Sequence, residues 1–341
     1  MRPFGEEPPG RPARDETLDE LRAAGVELDP PGRPQDDHGH DHPPGELPAI
    51  GIVGAGPVGT ALGAAFARGG WPVTAVASRD ARRRERFRSF VPGARAFVEP
   101  AAILDEAQLI VLAVPDDAIP SLAGRLRLYS GQALVHTSGA LGPEVLEPAM
   151  AAGTQAGTFH PLVAFAEVER ALDALPGSTI AIEADPQLGS LLAGLAESIG
   201  AVPVRLAPGS KAAYHAGAVL AAGGLVALLD AIVRLGAVAG LDEASSLALY
   251  GRLAEQTLEN ARMLGVAAAL TGPIVRGDVG TLRLHLAALA AHAPDVLPLY
   301  RAAAERELRI AIERGTIDAD RADAVRRALA PSAVASLASE A

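Results

Sequence analysis

Short apolar runs separated by polar and glycine-rich segments mark residues 50 to about 205. Runs of this length, rich in Val, Ile and Ala, are typical of strands buried on both faces. A helical pattern follows the first run at 60–68 and ends at the glycine pair Gly69 and Gly70. Strands that alternate with helices predict a parallel sheet with crossover helices. The predicted strands are 50–53, 73–77, 108–114, 133–136, 158–159 and 179–182.

The pattern becomes helical after about Leu206, and helices are predicted over 210–240, 243–264, 281–292 and 295–314. Residues 215–240 are apolar on nearly every side, which predicts a helix that is buried all round. Because the helical half is small, we expect a second copy of the chain to help cover this helix. The sequence therefore predicts a homodimer that forms through the helical domain.

The first 45 residues are dense in Pro, Gly, Asp and Glu and hold few large apolar side chains. Such a composition cannot offset the entropy of ordering, so a disordered tail over 1–45 is predicted. His38, His40 and His42 could bind a divalent metal, but a solvated polar tail is the favoured interpretation. No metal site is predicted.

Composition limits the function classes. The 341 residues contain no cysteine, which excludes disulfides and thiolate nucleophiles. The net charge of −11 and the lack of a basic patch argue against nucleic-acid binding. The acidic, proline-rich start is unlike a signal peptide, and the longest uncharged run of small and apolar residues, 216–229, is shorter than the ~20 residues that cross a bilayer. We expect a cytoplasmic protein with no membrane partner.

The motif Gly54-Ala55-Gly56-Pro57-Val58-Gly59 follows the first predicted strand and precedes a helix. In this setting Gly54 permits a tight turn, Gly56 lets the main chain approach a pyrophosphate, and Gly59 lets the helix pack closely. The free N–H groups at the start of the helix attract the phosphates. The motif predicts a dinucleotide site that includes Pro57 and Val58.

The end of the second predicted strand distinguishes NAD from NADP. A carboxylate there would accept a hydrogen bond from the ribose of NAD. This chain has Ser78 and Arg79 instead, followed by Arg82, Arg83 and Arg84. Because Ser78 and Arg79 suit a 2′-phosphate, the predicted cofactor is NADP. The three later arginines are interpreted as a solvated helix face.

Three polar loops leave neighbouring predicted strands at the carboxyl edge, where open parallel sheets bind ligands. They are Val114-Pro115-Asp116, the segment His136-Thr137-Ser138-Gly139 and the segment Phe159-His160-Pro161. Turn-forming residues also explain each loop taken singly. Together they predict a site in which Val114, Pro115 and Asp116 meet the cofactor and Ser138 and His160 meet the substrate.

The helical half begins with Lys211, the only lysine of the chain, and His215 follows four residues later on the same helix face. Lysine, unlike arginine, can lose its proton when it is desolvated. We therefore predict that Lys211 is a general acid. His215 either orients the substrate or is a hydrogen-bonded interior histidine, and Tyr214 is interpreted as a packing residue.

The segment Thr271–Asp278 interrupts the helical half with two glycines, an arginine and an aspartate. Arg276 is predicted to hold a carboxylate or phosphate, with a local Arg–Asp pair as the alternative. Asn260 is the only asparagine of the chain and is a further candidate for substrate binding.

The glycine loop, V-P-D-D, H-T-S-G, F-H-P-L, K-x-x-Y-H, T-L-E-N and T-G-P-I-V-R-G-D together resemble a bacterial family over about residues 48 to 315. That family joins a Rossmann-like NADP-binding domain to the C-terminal domain of unknown function 2520. By plan it is related to pyrroline-5-carboxylate reductase, the F420-dependent NADP oxidoreductases, ketopantoate reductase and the β-hydroxyacid dehydrogenases. The last group is similar in the position of Lys211, but it has asparagine where this chain has His215. Prephenate dehydrogenases resemble the chain in the histidine–proline step at His160.

These observations predict an α/β Rossmann-type parallel sheet domain over 46–205 and a mainly α-helical substrate and dimerisation domain over 206–330. The leading hypothesis is an NADP-dependent oxidoreductase that transfers a hydride between nicotinamide and a C=O or C=N group of a small, carboxylate-bearing substrate. The alternatives are a non-catalytic NADP-binding sensor or scaffold, and an enzyme that uses a deazaflavin.

Overall fold

The computed structural model describes residues 47–150 and 153–330. The chain forms two compact units, and the division between them falls after Leu220. The predicted disordered tail, with its three histidines, lies outside the described residues. The domain bounds 46–205 and 206–330 stay predictions.

The first unit is built on one eight-stranded sheet with the order β3-β2-β1-β4-β5-β6-β7-β8. Its centre confirms the predicted α/β architecture, since three of the apolar runs form strands with the predicted bounds. The strands are β1 Ile50–Val53, β2 Val73–Ala77, β3 Arg95–Phe97, β4 Leu109–Leu112, β5 Ala133–His136, β6 Gln155–Pro161, β7 Thr179–Ala184 and β8 Val202–Arg205.

The sheet is parallel except between β6 and β7, which pair antiparallel. The predicted parallel sheet is therefore confirmed, with this one pairing as the exception. A parallel crossover has to carry the chain back to the edge where the previous strand began. Here β7 starts beside the end of β6, with Ile180 opposite Pro161. The chain therefore enters β7 at the same edge of the sheet at which β6 ends.

Helices cover both faces of this sheet. Alternate residues of β1 point to opposite faces, so Ile52 lies in one apolar cluster and Val53 in the other. Phe66 packs edge-on against Phe159 with ring centroids 5.6 Å apart. The helices of this unit are α1 Pro57–Arg68, α2 Ala81–Phe90, α3 Ile119–Arg125, α4 Glu147–Met150, α5 Val168–Ala174, α6 Pro186–Ser198 and α7 Lys211–Val219.

The second unit is helical, as predicted, and its described residues contain no strand. Ile274, Leu282, Leu286 and Leu308 belong to its main apolar cluster. A π-helical turn, Leu220–Gly224, precedes its first helix. The helices are α8 Leu225–Val238, α9 Glu243–Leu264, α10 Val266–Ala269, α11 Pro273–Arg276, α12 Val279–His292, α13 Leu297–Glu313 and α14 Ala319–Leu329.

The prediction that residues 215–240 form a helix buried all round is wrong for the single chain. In α8 only Ala231 and Gly236 are buried, and Val226 keeps 66% of its surface exposed. Apolar composition determined that prediction, but nothing in the described part of the chain covers the helix. By length and composition, the stretch Lys211–Val238 is also the one described helix that could span a bilayer.

Candidate functional site

The glycine loop between β1 and α1 has three distinct local environments. Gly54 has φ +107°, and a Cβ there would lie 2.1 Å from the carbonyl oxygen of Ala113. A Cβ on Gly59 would lie 1.9 Å from the carbonyl oxygen of Gly54. A Cβ on Gly56 would meet nothing within 4 Å. The turn and the helix packing therefore require Gly54 and Gly59, whereas Gly56 leaves open space above the loop.

The N-terminus of α1 faces that space with its main-chain groups uncapped. Gly56 is the capping residue, and no side chain accepts a hydrogen bond from the first turn. Pro57 occupies the first position, where the missing N–H costs nothing. The N–H groups of the first turn, together with the helix dipole, favour an anion at this position. This matches the requirements of a pyrophosphate.

Beyond β2, Ser78 is half-buried and Arg79 is exposed. The nearby carboxylate of Asp80 caps α2, because its Oδ1 accepts from the main-chain N–H groups of Arg82 and Arg83 at 2.8 and 3.2 Å. These hydrogen bonds lower the pKa of Asp80. Within residues 47–150 and 153–330, no carboxylate forms an ion pair with Arg79. The positive charge of Arg79 is therefore available at the end of β2, whereas the carboxylate of Asp80 is engaged at the start of α2.

Lys211 is the central, buried residue of a polar cluster at the carboxyl edge of the sheet. It is 2% exposed, and its Nζ donates a hydrogen bond to the carbonyl oxygen of Ser138 at 2.7 Å. The Oγ of Ser138 donates to Oδ2 of Asp116 at 2.7 Å and accepts from the N–H groups of Ala140 and Leu141. The structure thus brings together Lys211, Ser138 and Asp116, which the sequence had placed on three separate segments.

His136 holds the loop of Ser138 in place. Its Nδ1 accepts from the N–H of Ser138 at 3.3 Å, so its Nε2 carries the proton and donates to the carbonyl oxygen of Gly142 at 3.0 Å. Burial lowers the pKa of His136 to about 4. The imidazole is neutral at neutral pH and fixes the geometry of the loop.

His160, Tyr214 and His215 close over Gly139. The Nδ1 of His160 lies 3.3 Å from the hydroxyl of Tyr214, and the two rings meet edge to face. His160 and His215 also pack edge to face, with centroids 5.6 Å apart. Tyr214, interpreted from the sequence as a packing residue, thus packs against His160 with its ring and also approaches it with its hydroxyl. Both imidazoles approach the backbone so closely that only glycine fits at position 139.

A Cβ on Gly139 would lie 2.1 Å from Nδ1 of His215 and 2.7 Å from Nε2 of His160. The Nδ1 of His215 is buried and has no hydrogen-bond partner among the described residues. The alternative reading of His215 as a fully hydrogen-bonded interior histidine therefore does not hold for this atom. Two imidazole nitrogens converge on one point beside Lys211.

The electrostatics of the cluster favour proton transfer near neutral pH. Burial lowers the pKa of Lys211 to about 8, although the carboxylates of Glu183, Asp116 and Glu144 raise it. Burial also lowers the pKa of His160 to about 4, and the charges of Lys211 and His215 act in the same direction. Lys211 can therefore carry a transferable proton at pH 7 to 8.

Besides Glu144, which follows β5, sequence reasoning missed the carboxylate of Glu183 on β7. It stands in the run Thr179–Ala184, which is otherwise apolar apart from its first residue. A lone glutamate at the end of an apolar strand is usually a solvated residue, so it gave no signal. Glu183 lies opposite Thr158, which in turn lies opposite His136 on the next strand. This register could have identified Glu183 once the strand order was known.

The remaining predicted residues have simpler environments. Val114 is half-buried and Pro115 is exposed at the end of β4. In the second unit, Asn260 is exposed on α9 and Arg276 is exposed at the end of α11. The carboxylate of Asp278 accepts from the N–H and Oγ1 of Thr281 at 3.0 and 2.7 Å. Among the described residues it forms no ion pair with Arg276, which argues against the alternative of a local pair.

Comparisons with known proteins agree with this architecture. A Rossmann-like domain matches residues 34–161, and the domain of unknown function DUF2520 matches residues 178–307. The chain therefore carries a Rossmann-like domain followed by DUF2520, and the resemblance to that two-domain family is confirmed. No curated protein sequence is a significant match to the chain.

Several solved structures share the fold. The Thermotoga maritima protein TM1727 is 25% identical, with a TM-score of 0.60 over 78% of this chain and 99% of that one. The Bacteroides fragilis protein BF3122, whose name assigns it provisionally to the NADP oxidoreductases, is 23% identical, with a TM-score of 0.64 over 76% and 98%. A reductive aminase from Aspergillus terreus, in complex with NADPH and ethyl levulinate, is 18% identical, with a TM-score of 0.59 over 82% and 99%.

Within residues 47–150 and 153–330, no group of three or more His, Asp or Glu side chains is arranged to hold a metal ion.

Proposed function

We propose that the chain is an NADP-dependent oxidoreductase. The observation that carries the proposal is the buried ammonium of Lys211, held 2.7 Å from the carbonyl oxygen of Ser138 at the carboxyl edge of a Rossmann-like sheet. Ligands bind at this edge in open α/β folds. The names of structural neighbours, which include an NADP oxidoreductase and a reductive aminase solved with NADPH, support the same class.

The residues present fit a dinucleotide. The open space above Gly56 and the uncapped first turn of α1 would receive the pyrophosphate. Arg79 and Ser78 would contact the 2′-phosphate, because the guanidinium is exposed and the Asp80 carboxylate caps α2. Val114, Pro115 and Asp116 follow β4 and would line the same edge. When bound, the cofactor supplies or accepts a hydride.

The chain itself supplies the proton and the orientation. Lys211 donates its proton to the substrate oxygen or nitrogen as negative charge develops there. Ser138 holds Lys211 through its carbonyl oxygen and is fixed in turn by Asp116 and His136. His160 and His215 present neutral or unpaired nitrogens beside Gly139, where they orient the reacting group.

The finer proposal concerns the substrate. We infer that it is a small molecule that carries a C=O or C=N group and a carboxylate, as pyrroline-type imines and 2-oxo acids do. Lys211 donates the proton to the C=O or C=N group, and the imidazoles of His160 and His215 orient that group. In the second unit, Arg276 and Asn260 stay predicted substrate contacts, by the chemistry of the guanidinium and the amide. Both assignments are argued from side-chain chemistry.

The test is a two-part assay on the purified chain. Calorimetry with NADPH and NADH measures cofactor binding, and loss of NADPH absorbance with a panel of 2-oxo acids, ketones and cyclic imines measures turnover. We expect Lys211→Ala to abolish turnover and to leave NADPH binding unchanged. Lys211→Arg is the matched control: it keeps the positive charge but cannot release a proton, so it too should be inactive.

The same assay distinguishes the other hypotheses. If the wild-type chain binds NADPH tightly but turns over no panel member, and Lys211→Ala changes neither result, a non-catalytic sensor or scaffold would be favoured. Turnover that appears only when a reduced deazaflavin is added would favour the deazaflavin enzyme. No detectable binding of either nicotinamide cofactor would overturn the proposal entirely.

We also propose that the chain works as a cytoplasmic homodimer through its helical domain. The helices α8 and α9 expose a broad apolar surface, which in a protein marks an interface. Its exposed members are Leu225, Val226, Leu228, Val238, Leu247, Leu249, Leu253, Leu258, Met263 and Leu264. Arg234 of α8 forms ion pairs with Asp230 and with Asp295 on the same unit. Because charged side chains are costly in the hydrocarbon of a bilayer, the exposed face of α8 is better matched to a protein partner than to lipid.

Sedimentation and flotation on vesicles test this assignment together. A dimer mass for the wild type, a monomer mass for Leu253→Asp and no flotation are the expected results. Leu284→Asp is the control, since Leu284 is 72% exposed on α12 and outside the α8–α9 surface. A wild-type chain that sediments as a monomer, or one that floats with the vesicles, would contradict the dimer.

A further inference from the structure

Three polar residues form a row across β5, β6 and β7. His136 lies directly opposite Thr158, and Thr158 lies directly opposite Glu183, so the three side chains share one face of the sheet. His136 and Thr158 are fully buried. The row lies in the cluster that contains Lys211, since His136 accepts from the N–H of Ser138. A carboxylate at the end of a buried polar row needs a charge or a donor to balance it.

The contacts of Glu183 lead directly to the segment that carries Lys211. Its carboxylate accepts a hydrogen bond from the main-chain N–H of Gly209, two residues before Lys211. Its own N–H donates to Oγ1 of Thr158 at 3.1 Å. The second carboxylate oxygen, Oε2, is buried and has no hydrogen-bond partner among the described residues. A buried oxygen of this kind is costly unless a cation lies near it.

We propose that Glu183 is the counter-charge of Lys211, a positioning residue that keeps the lysine in its ammonium form and holds the start of α7 against the sheet. The charge role is a property of the chain alone, whereas its use in catalysis rests on the proposed oxidoreductase function. Glu183 does not touch the reacting atoms; it acts through Lys211.

The charged and titratable groups around Lys211 come from every segment packed against it. They are Asp116 after β4, His136 on β5, Glu144 after β5, His160 on β6, Glu183 on β7, and Tyr214 and His215 on α7 itself. Burial is the largest effect and lowers the pKa of Lys211. Among the three carboxylates that oppose it, Glu183 has the largest effect, ahead of Asp116 and Glu144. Burial raises the pKa of Glu183 itself, as expected for a carboxylate that needs a nearby cation to stay ionised.

The single lysine allows a direct test. Protein labelled with ¹³C at the lysine Cε gives one side-chain signal, and its chemical shift against pH reports the protonation of Lys211 without cofactor or substrate. We expect Glu183→Gln to lower the titration midpoint by about one pH unit. Glu144→Gln is the matched control: it removes the same charge from a less influential position, and its midpoint should fall less.

Two further measurements keep the test decisive. Far-UV circular dichroism and thermal unfolding verify that the Gln variant is folded. If it is not, Glu183→Asp, which keeps the charge, should restore folding with a midpoint close to that of the wild type. An unchanged or higher midpoint in folded Glu183→Gln, or a larger fall in Glu144→Gln, would overturn the proposal. Because the titration uses the protein without ligands, it stands whether or not NADPH binds.

Discussion

Lys211 Nζ donates a 2.7 Å hydrogen bond to the main-chain oxygen of Ser138, and so the only ammonium side chain of the protein is tied to a loop between two strands. A main-chain carbonyl compensates a buried ammonium without neutralising it, so the lysine keeps a transferable proton. Ser138 in turn is held by Asp116.

The first prediction concerns the pH dependence of reduction. Burial lowers the pKa of Lys211 to about 8, and the general acid must be protonated. We expect kcat for reduction to be constant below pH 7 and to fall about tenfold per pH unit well above pH 8. Steady-state assays from pH 6 to 10 check this. A rate that rises through pH 8 would assign the proton transfer to another group.

The stability of the chain should respond to the same group. The folded pKa of Lys211 is lower than the ordinary value of 10.5, so folding is penalised where the lysine must stay charged, below about pH 8. The penalty disappears as the pH rises through the interval from about 8 to 10.5. We expect Lys211→Met to raise the free energy of unfolding at pH 7 by up to about 3 kcal/mol, and the gain to vanish by pH 10.5. Urea unfolding at both pH values measures it, and a gain that grows with pH would contradict the sign.

Much of the sheet could be predicted from apolar runs, because strands with both faces buried leave a clear pattern. The misses have physical causes. Arg95–Phe97 forms β3 with two of its three residues exposed, so no apolar run marks it. In β8, Val202–Arg205, Pro203 weakens the strand signal.

The candidate site was predicted less completely, since contacts across the sheet depend on strand order. Ser138, Asp116 and His160 follow from loops at one sheet edge, and Lys211 follows from its place as the only lysine at the start of the helical half. The contact between Tyr214 and His160 could not be predicted, because the two residues are 54 positions apart along the chain. The exposure of α8 was misjudged because composition does not reveal which surface covers a helix.

Gly139 gives the third prediction. Any side chain there would collide with the imidazoles of His215 and His160. We expect Gly139→Ala to lower kcat at least about tenfold, a loss of about 1.4 kcal/mol in transition-state stabilisation, with the NADPH Kd unchanged. Gly194→Ala is the control, because a Cβ there meets nothing within 4 Å. Wild-type turnover in Gly139→Ala would show that the two histidines do not orient the substrate.

The glycine loop separates folding from binding, and this is the fourth prediction. A Cβ at position 59 would collide with the carbonyl of Gly54, so Gly59→Ala should lower the Tm. A Cβ at position 56 meets no protein atom, so Gly56→Ala should keep the wild-type Tm and weaken NADPH binding by about tenfold or more. Thermal unfolding and calorimetry on both variants test the distinction. Equal NADPH affinity in Gly56→Ala and wild type would exclude the open space above Gly56 as the phosphate site.

The last prediction concerns the choice between NADPH and NADH. Arg79 is exposed after β2 and pairs with no carboxylate in the described part of the chain, while Arg84 donates to the main-chain oxygens of Ser78 and Arg79. Hydrogen bonds to a charged group contribute about 1.5–3 kcal/mol each. Arg79→Ala should therefore weaken NADPH binding about 10- to 100-fold and leave NADH binding nearly unchanged. Arg82→Ala, one turn further along the chain, is the matched control and should preserve the preference. Calorimetric titrations of both cofactors decide the matter: an equal loss for NADH and NADPH would mean that Arg79 contacts the pyrophosphate or shapes the loop, and the 2′-phosphate would then have to be read by other residues.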